Sequence, residues 1–188
     1  MDPFRIFEEW YEEAKASEPR DANAMVVATA TSDGAPSARY VLFKDHGPGG
    51  FVFYTNLESR KGLELATNPR AAIAIHWKST YKQVRIEGPV EQVDDATADA
   101  YFASRGRDKQ LAASASQQSR ELPSEDLFEA RIEELDKLDV LSRPAHWSGL
   151  RVIPERIELW EGNESRTHHR RLFVKQEDGS WTESLLYP

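Results

Sequence analysis

Between Met25 and Val93 the chain packs six short runs of β-branched, aromatic and aliphatic residues into roughly seventy positions. The runs are Met25 to Thr31, Ser37 to Lys44, Phe51 to Thr55, Ala71 to Trp77, Tyr81 to Glu87 and Val90 to Val93. Asp33-Gly34 is the tight turn of a hairpin, and Gly88-Pro89 is read as a break between the last two runs. Short connections of this kind suggest an antiparallel barrel. Helical patterns flank it. Asp2-Pro3 starts a helix through about Lys15, with Phe4, Phe7 and Tyr11 on one stripe. The segment from about 94 to 140 is helical, and Asp94 or Asp95 caps a piece that reaches Ser104. Pro123-Ser124 opens a second helix with the stripe Phe128, Ile132, Leu135 and Leu138. Strands return at Leu150 to Ile153, Arg156 to Trp160, Arg170 to Lys175 and Trp181 to Leu186. The expectation is one mainly β domain with flanking helices (α+β) over residues 1–188: an N-terminal helix at 3–15, barrel strands at about 25–93, a helical insert at about 94–140 and C-terminal strands at about 150–187.

Chemistry concentrates in RYVLFKDHGPGGFVFYTNLESRKG, residues 39–62. Strand, glycine-rich loop and strand lead to Ser59, which can cap a helix beginning Arg60-Lys61-Gly62. Two cations in a first turn oppose the positive end of the helix dipole. A bound dianion reverses that penalty, because free backbone N–H groups and both side chains then point at it. A solvated helix start with two surface cations explains the spacing equally well.

Composition narrows the classes. With 32 acidic against 24 basic residues the formal charge is −8, which opposes a general nucleic-acid surface but permits a small basic pocket. Cysteine is absent, which removes disulfides, thiolate zinc sites and cysteine nucleophiles. No metal-ligand spacing, P-loop, GxGxxG or GxSxG element occurs, and His168-His169 on a strand would face opposite ways. With no apolar run long enough to span a bilayer and no signal-peptide core, a cytoplasmic protein is expected. The cluster Arg166-Thr167-His168-His169-Arg170-Arg171 is strongly basic, and a solvated loop is the commoner fate of such a cluster on its own.

Several of these stretches occur together in one known family. YTNLESRKG after RYVLFK, then QVRIEGPVE, YFASR, QQS, HWSG, and an Arg-x-His-x-Arg element after IELW resemble, in order, the pyridoxamine 5'-phosphate oxidase family from about Asp2 to Pro188. The resemblance implies an FMN-binding split β-barrel, mostly antiparallel and dimeric, with sites built across the subunit interface. It implies FMN as cofactor, held by Arg39, Tyr40, Val41, Leu42, Phe43, Lys44, Tyr54, Thr55, Arg60, Lys61, Gln83, Gln118, Ser119, Trp160 and Arg170. The substrate phosphate would meet Lys44, Tyr101, Arg105 and Lys109, with Arg166 and His168 as the catalytic pair over the ring. The implied reaction converts pyridoxamine or pyridoxine 5'-phosphate to pyridoxal 5'-phosphate with O2 as acceptor, releasing H2O2. No metal, nucleic-acid or membrane partner is implied. Simple alternation puts Arg39 and Lys44 on opposite strand faces. This sequence departs from the family pattern at Gly106, Lys109, Ser114 and His169, where relatives usually carry proline, serine, tryptophan and aspartate. Relatives also carry a segment ahead of the first helix that closes over the substrate, and here the chain starts at that helix. Two other readings compete: a flavoprotein of the same fold acting on another aromatic ring, and a non-catalytic FMN- or pyridoxal-phosphate-binding protein.

Overall fold

A computed structural model describes residues 2–188. The order is α1 (Pro3–Ser17), β1 (Ala24–Ala30), β2 (Pro36–Leu42), β3 (Phe51–Asn56), α2 (Arg60–Thr67), β4 (Arg70–Trp77), β5 (Lys82–Gln92), α3 (Asp95–Ser104), α4 (Arg107–Ala115), α5 (Glu125–Asp136), β6 (Trp147–Val152), β7 (Arg156–Glu161), β8 (His169–Lys175) and β9 (Trp181–Leu185). All the strand pairings are antiparallel, and seven strands follow the path β2-β1-β4-β5-β7-β8-β9. β3 and β6 form a second layer that joins this path through β5.

β5 corrects the expected break at Gly88-Pro89, because one strand runs unbroken from Lys82 to Gln92. Its first part pairs with β7 and its end, Val90 to Gln92, pairs with β6. Proline has no N–H to offer, but Pro89 still accepts from Ile153 N at 2.8 Å, and Val90 N turns to Pro69 O at 2.8 Å. Gly88 makes the handover possible: a Cβ there would lie 1.8 Å from the Ile153 carbonyl oxygen. Glycine and proline here redirect a strand from one layer to the other without ending it.

The core lies between the layers. Inward residues of β1, β4, β5 and β7 (Met25, Val27, Ile73, Ile75, Val84, Ile86, Ile157 and Leu159) alternate with outward ones, as a period of two requires. α1 closes one end. Asp2 caps it through Phe4 N at 3.0 Å, and Phe7 inserts among Phe43, Phe51 and Trp77 with ring centroids 5.0–6.1 Å away. The α5 stripe is covered less than its pattern suggests. No α5 residue is buried, α5 packs on α4, and Leu138 falls beyond the helix end and is exposed. Among the described residues no helix is long and apolar enough to cross a membrane.

Gly88→Ala is expected to lower stability by about 3 kcal/mol, the upper range for forcing atoms into a packed site. Urea denaturation checks this, and an unchanged midpoint would show that the two backbones do not meet as described.

Candidate active site

A cleft of about 620 Å³ opens where the edge strand β2 faces the end of β3 and the start of α2. One part of its lining, Arg60 and Lys61, is built by the start of α2. Ser59 caps the helix by accepting from Gly62 N at 3.4 Å, and the same hydroxyl oxygen accepts from Lys61 Nζ at 3.1 Å. Lys61 Nζ also donates to Thr55 Oγ1 at 2.9 Å and Gln118 Oε1 at 2.7 Å. Lys61 is only 7% exposed, and among the described residues no carboxylate pairs with it. Burial, aided by the nearby Arg39 charge, lowers its pKa to about 8.

The neighbouring acid serves other cations. Glu64, 5% exposed, accepts from Arg60 Nε at 2.9 Å and Ser37 Oγ at 2.5 Å, bonds the Thr29 hydroxyl, and lies 3.5 Å from Arg39. Burial alone would raise this carboxyl. Hydrogen bonds from Ser37, Thr29 and Arg60, with the Arg39 charge, outweigh that and hold it at about 2. Arg39 is fixed in turn on the Val27 carbonyl and the Thr29 and Ser37 hydroxyls.

The opposite wall is aromatic. Tyr54 stacks on Tyr101 at 3.8 Å and on Trp147 at 5.2 Å, and the Arg105 guanidinium lies 4.9 Å over the Trp147 ring. Arg105 Nη1 is buried and has no hydrogen-bond partner. An orphaned donor of that kind is uncommon and expensive, and an incoming anion is the simplest group to satisfy it.

Most residues expected at a site lie in this cleft: Arg39, Tyr40, Val41, Leu42, Lys44, Tyr54, Thr55, Arg60, Lys61, Tyr101, Arg105, Gln118 and Ser119 all line it. Arg39 and Lys44 share it in spite of strand alternation. β2 ends at Leu42, Phe43 N turns to Asn23 O, and Lys44 N pairs with Val52 O of β3, so the face count restarts. The Phe43 side chain goes into the core, 2% exposed, and only its backbone follows the cleft edge. Lys109 sits exposed on α4, outside the cleft lining.

Gln83, Trp160 and Arg170 are elsewhere, as direct cross-strand partners in one row over β5, β7 and β8. His168 packs its ring 4.7 Å from Trp160 and accepts from Asn163 N at 3.2 Å. Arg166 stands in the same loop with φ +60°. Arg170 Nε donates to Glu158 Oε1 at 2.8 Å, so a carboxylate holds this guanidinium in the row. Sequence reasoning passed over Glu64, Ser37 and Trp147. Glu64 carried a signal, since it follows Arg60 by four residues on a helix. Among the described residues no group of three His, Asp or Glu could hold a metal ion.

The family model described as pyridoxamine 5'-phosphate oxidase matches residues 11–139, and the model for the pyridoxine 5'-phosphate oxidase C-terminal dimerisation region matches residues 147–188. A pyridoxine/pyridoxamine 5'-phosphate oxidase of Sphingopyxis alaskensis is 57% identical, over 100% of this chain and 88% of its own length. Its counterpart in Novosphingobium aromaticivorans is 53% identical, over 100% and 94%. Among solved structures, PhzG from Burkholderia lata in complex with tetrahydrophenazine-1-carboxylic acid superposes with a TM-score of 0.94 at 31% identity, covering 100% of this chain and 93% of that one. An FMN-binding protein related to pyridoxamine 5'-phosphate oxidase, from Nostoc punctiforme, shares the fold at a TM-score of 0.80 and 16% identity, covering 100% and 99%. Matched by both models along nearly its whole length, the chain belongs to the pyridoxamine 5'-phosphate oxidase family.

Proposed function

We propose that this protein is an FMN-dependent oxidase that converts pyridoxamine or pyridoxine 5'-phosphate to pyridoxal 5'-phosphate with O2 as acceptor, releasing H2O2. The observation that carries the reading is a cleft with two cationic groups that, among the described residues, no carboxylate pairs with. Lys61, with only neutral acceptors, is one, and Arg105, with its orphaned nitrogen, is the other. Two phosphorylated molecules lying together would satisfy both. The residues present therefore fit FMN at the α2 end, where Arg60, Lys61 and the helix N-terminus would hold its phosphate, with Tyr54, Thr55, Gln118 and Ser119 beside them. Residues 39–44 would follow its length. Tyr101, Arg105 and Lys44 would take the substrate phosphate, and Lys109, on the next helix, would add to the charge nearby.

Bound FMN would supply the redox chemistry, with O2 as final acceptor; the alcohol carbon loses two electrons to become the aldehyde, and the amine carbon becomes an imine that water hydrolyses to the aldehyde and ammonia. The protein binds, orients and supplies charge. Arg39 and Lys44 would give the cleft a positive potential that favours negative charge on a bound ring. Holding both phosphates fixes the two rings against each other, which lowers the entropic part of the barrier. In a homodimer, the group Gln83, Trp160, Arg170, Arg166 and His168 would come to the cleft from the second subunit. Arg166 and His168 then cover the substrate ring, and the other three complete the FMN site. The phosphorylated substrates are dianions that do not cross bilayers unaided, which supports the cytoplasm, where such metabolites are retained, as the site of the reaction. The likeness to PhzG favours, as a second reading, a larger aromatic ring as substrate. Comparing several aromatic substrates under air, with peroxide as readout, separates the two. A yellow protein that makes no peroxide from any of them would instead be a binding protein.

Arg60→Ala is expected to weaken FMN binding by about 1–3 kcal/mol, the scale of a lost charge-assisted bond. Flavin fluorescence titration checks it, and unchanged affinity would remove Arg60 from the phosphate end. FMN affinity should also depend on pH through Lys61. Its pKa of about 8 in the free protein rises when a dianion binds, so binding takes up a proton and affinity falls as pH climbs through 8. Lys61→Met should bind FMN more weakly and flatten that slope, and a slope that survives the substitution would assign the proton to another group. Arg166→Ala should keep its flavin while turnover falls about a hundredfold, the scale of a lost positioning or acid–base group. Equal turnover would contradict the role given to Arg166.

A further inference from the structure

Helix α3 carries Tyr101, with Arg105 as its C-cap, yet its own attachment to the barrel is thin. Ala98 packs with Val52 and Val93, and Phe102 meets the Trp147 ring edge-on at 5.3 Å. Among the described residues the only ion pairs made by α3 run to one side chain, Arg143, in the loop before β6. Arg143 is 11% exposed and forks across three acceptors: Asp95 Oδ1 at 2.7 Å, Asp99 Oδ1 at 2.5 Å and the Trp147 carbonyl oxygen at 2.9 Å. The two aspartates are spaced i and i+4, so one planar guanidinium grips a full turn of α3 while also bonding the residue whose ring lies under Arg105.

We infer that Arg143 is a positioning residue for substrate: it sets the distance between α3 and β6, and so the place at which Tyr101 and Arg105 present their polar atoms to a phosphate. This rests on the assignment of Tyr101 and Arg105 to the substrate phosphate. The chemistry requires a stiff tie at this point. Arg105 is held on the Trp147 face with a buried, unpartnered nitrogen, so a shift of α3 moves that donor relative to its target and rebuilds no alternative bond. Lysine keeps the charge, but its single nitrogen does not reproduce the three separate directions in which Nε, Nη1 and Nη2 reach Asp99, the Trp147 carbonyl and Asp95. The cations at the FMN phosphate end are held by other contacts, because Arg60 is anchored on Glu64, and Lys61 on Thr55, Ser59 and Gln118, none of which Arg143 bonds.

The test uses the FMN-loaded protein and the variants Arg143→Gln, Arg143→Lys and Asp99→Asn. Arg143→Gln is expected to raise KM for pyridoxamine 5'-phosphate, and the inhibition constant of inorganic phosphate, by about tenfold, the scale for a displaced charged group. FMN affinity and kcat/KM for unphosphorylated pyridoxamine should change far less, Arg143→Lys should recover part of the loss, and Asp99→Asn should show the same split more weakly. A general loss of stability would depress both substrates and FMN together, and that result, or no change in any of them, overturns the inference. Should Arg143→Gln fail to fold, Asp99→Asn decides between the same outcomes. Should the wild-type protein make no peroxide from pyridoxamine 5'-phosphate, the proposed function falls. Calorimetric affinity for inorganic phosphate, wild type against variants, then still decides the role of Arg143.

Discussion

A buried ammonium group with no carboxylate beside it governs this structure. Taking a lysine out of water is costly, and proteins ordinarily offset the cost with an ion pair or let the proton go. Lys61 has three neutral acceptors instead, one of which is the Ser59 hydroxyl that also caps α2. Cap and cation are therefore a single arrangement. The helix start can also come this close to the preceding turn only because residue 62 has no side chain: a Cβ there would lie 2.1 Å from the Leu57 carbonyl oxygen. Glu64, on the first turns of the same helix, is occupied by Arg60, Arg39 and two hydroxyls. It fixes the outer cations and leaves the inner one uncompensated, which is the charge pattern of a site prepared for an anion.

The barrel makes that pattern possible by keeping two layers in register. β3 brings Tyr54 and Thr55 to the cleft on one side, and β2 brings Arg39 on the other, anchored on β1 hydroxyl and carbonyl oxygens. The two layers meet through β5 and, just past the end of β2, where Lys44 and Asp45 pair with Val52; the turn of β5 at Gly88-Pro89 sets how far β6 stands from the main sheet. Trp147 and its stack with Tyr54 and Tyr101 depend on that separation. A backbone contact near Ile153 therefore reaches the far wall of the cleft through a single strand.

The sequence was most legible where a local pattern was also the final structure. Asp94 caps α3 through Thr97 N at 2.8 Å, Ser59 caps α2, and the alternation of β1 and β4 survives unchanged. It was least legible where a tertiary partner overruled the local rule. Gly88-Pro89 reads as a break, yet the chain continues because Ile153 and Pro69 supply the partners that proline cannot. Alternation separates Arg39 from Lys44, yet the chain changes partner between them and both reach the cleft. The α5 stripe predicts a buried face, but periodicity says only that a face exists and not that the same chain covers it. Trp147 and Glu64 stood in stretches that had already been noticed. Their part in the site depends on which atoms they meet across the fold, and spacing along one segment does not carry that information.

Two unlike groups stand out among the positive side chains of this acidic protein. Arg39, Lys44, Arg60, Lys61 and Arg105 line the cleft from β2, the turn after it, α2 and the C-cap of α3, whereas Arg170, Arg166 and His168 gather with Gln83 and Trp160 on β5, β7, β8 and the loop between β7 and β8. A single chain with one complete site has no reason to hold two incomplete ones. In a two-fold dimer the division has a geometric logic, because an isologous interface pairs each patch with its complement on the other copy and completes both sites at once. The exposed edge of β2 then has a use as well: Tyr40, 79% exposed beside the cleft, is the kind of aromatic surface that association covers. Cofactor binding and association would on that view be linked equilibria, each strengthening the other, since the second half of the FMN site arrives only with the second chain.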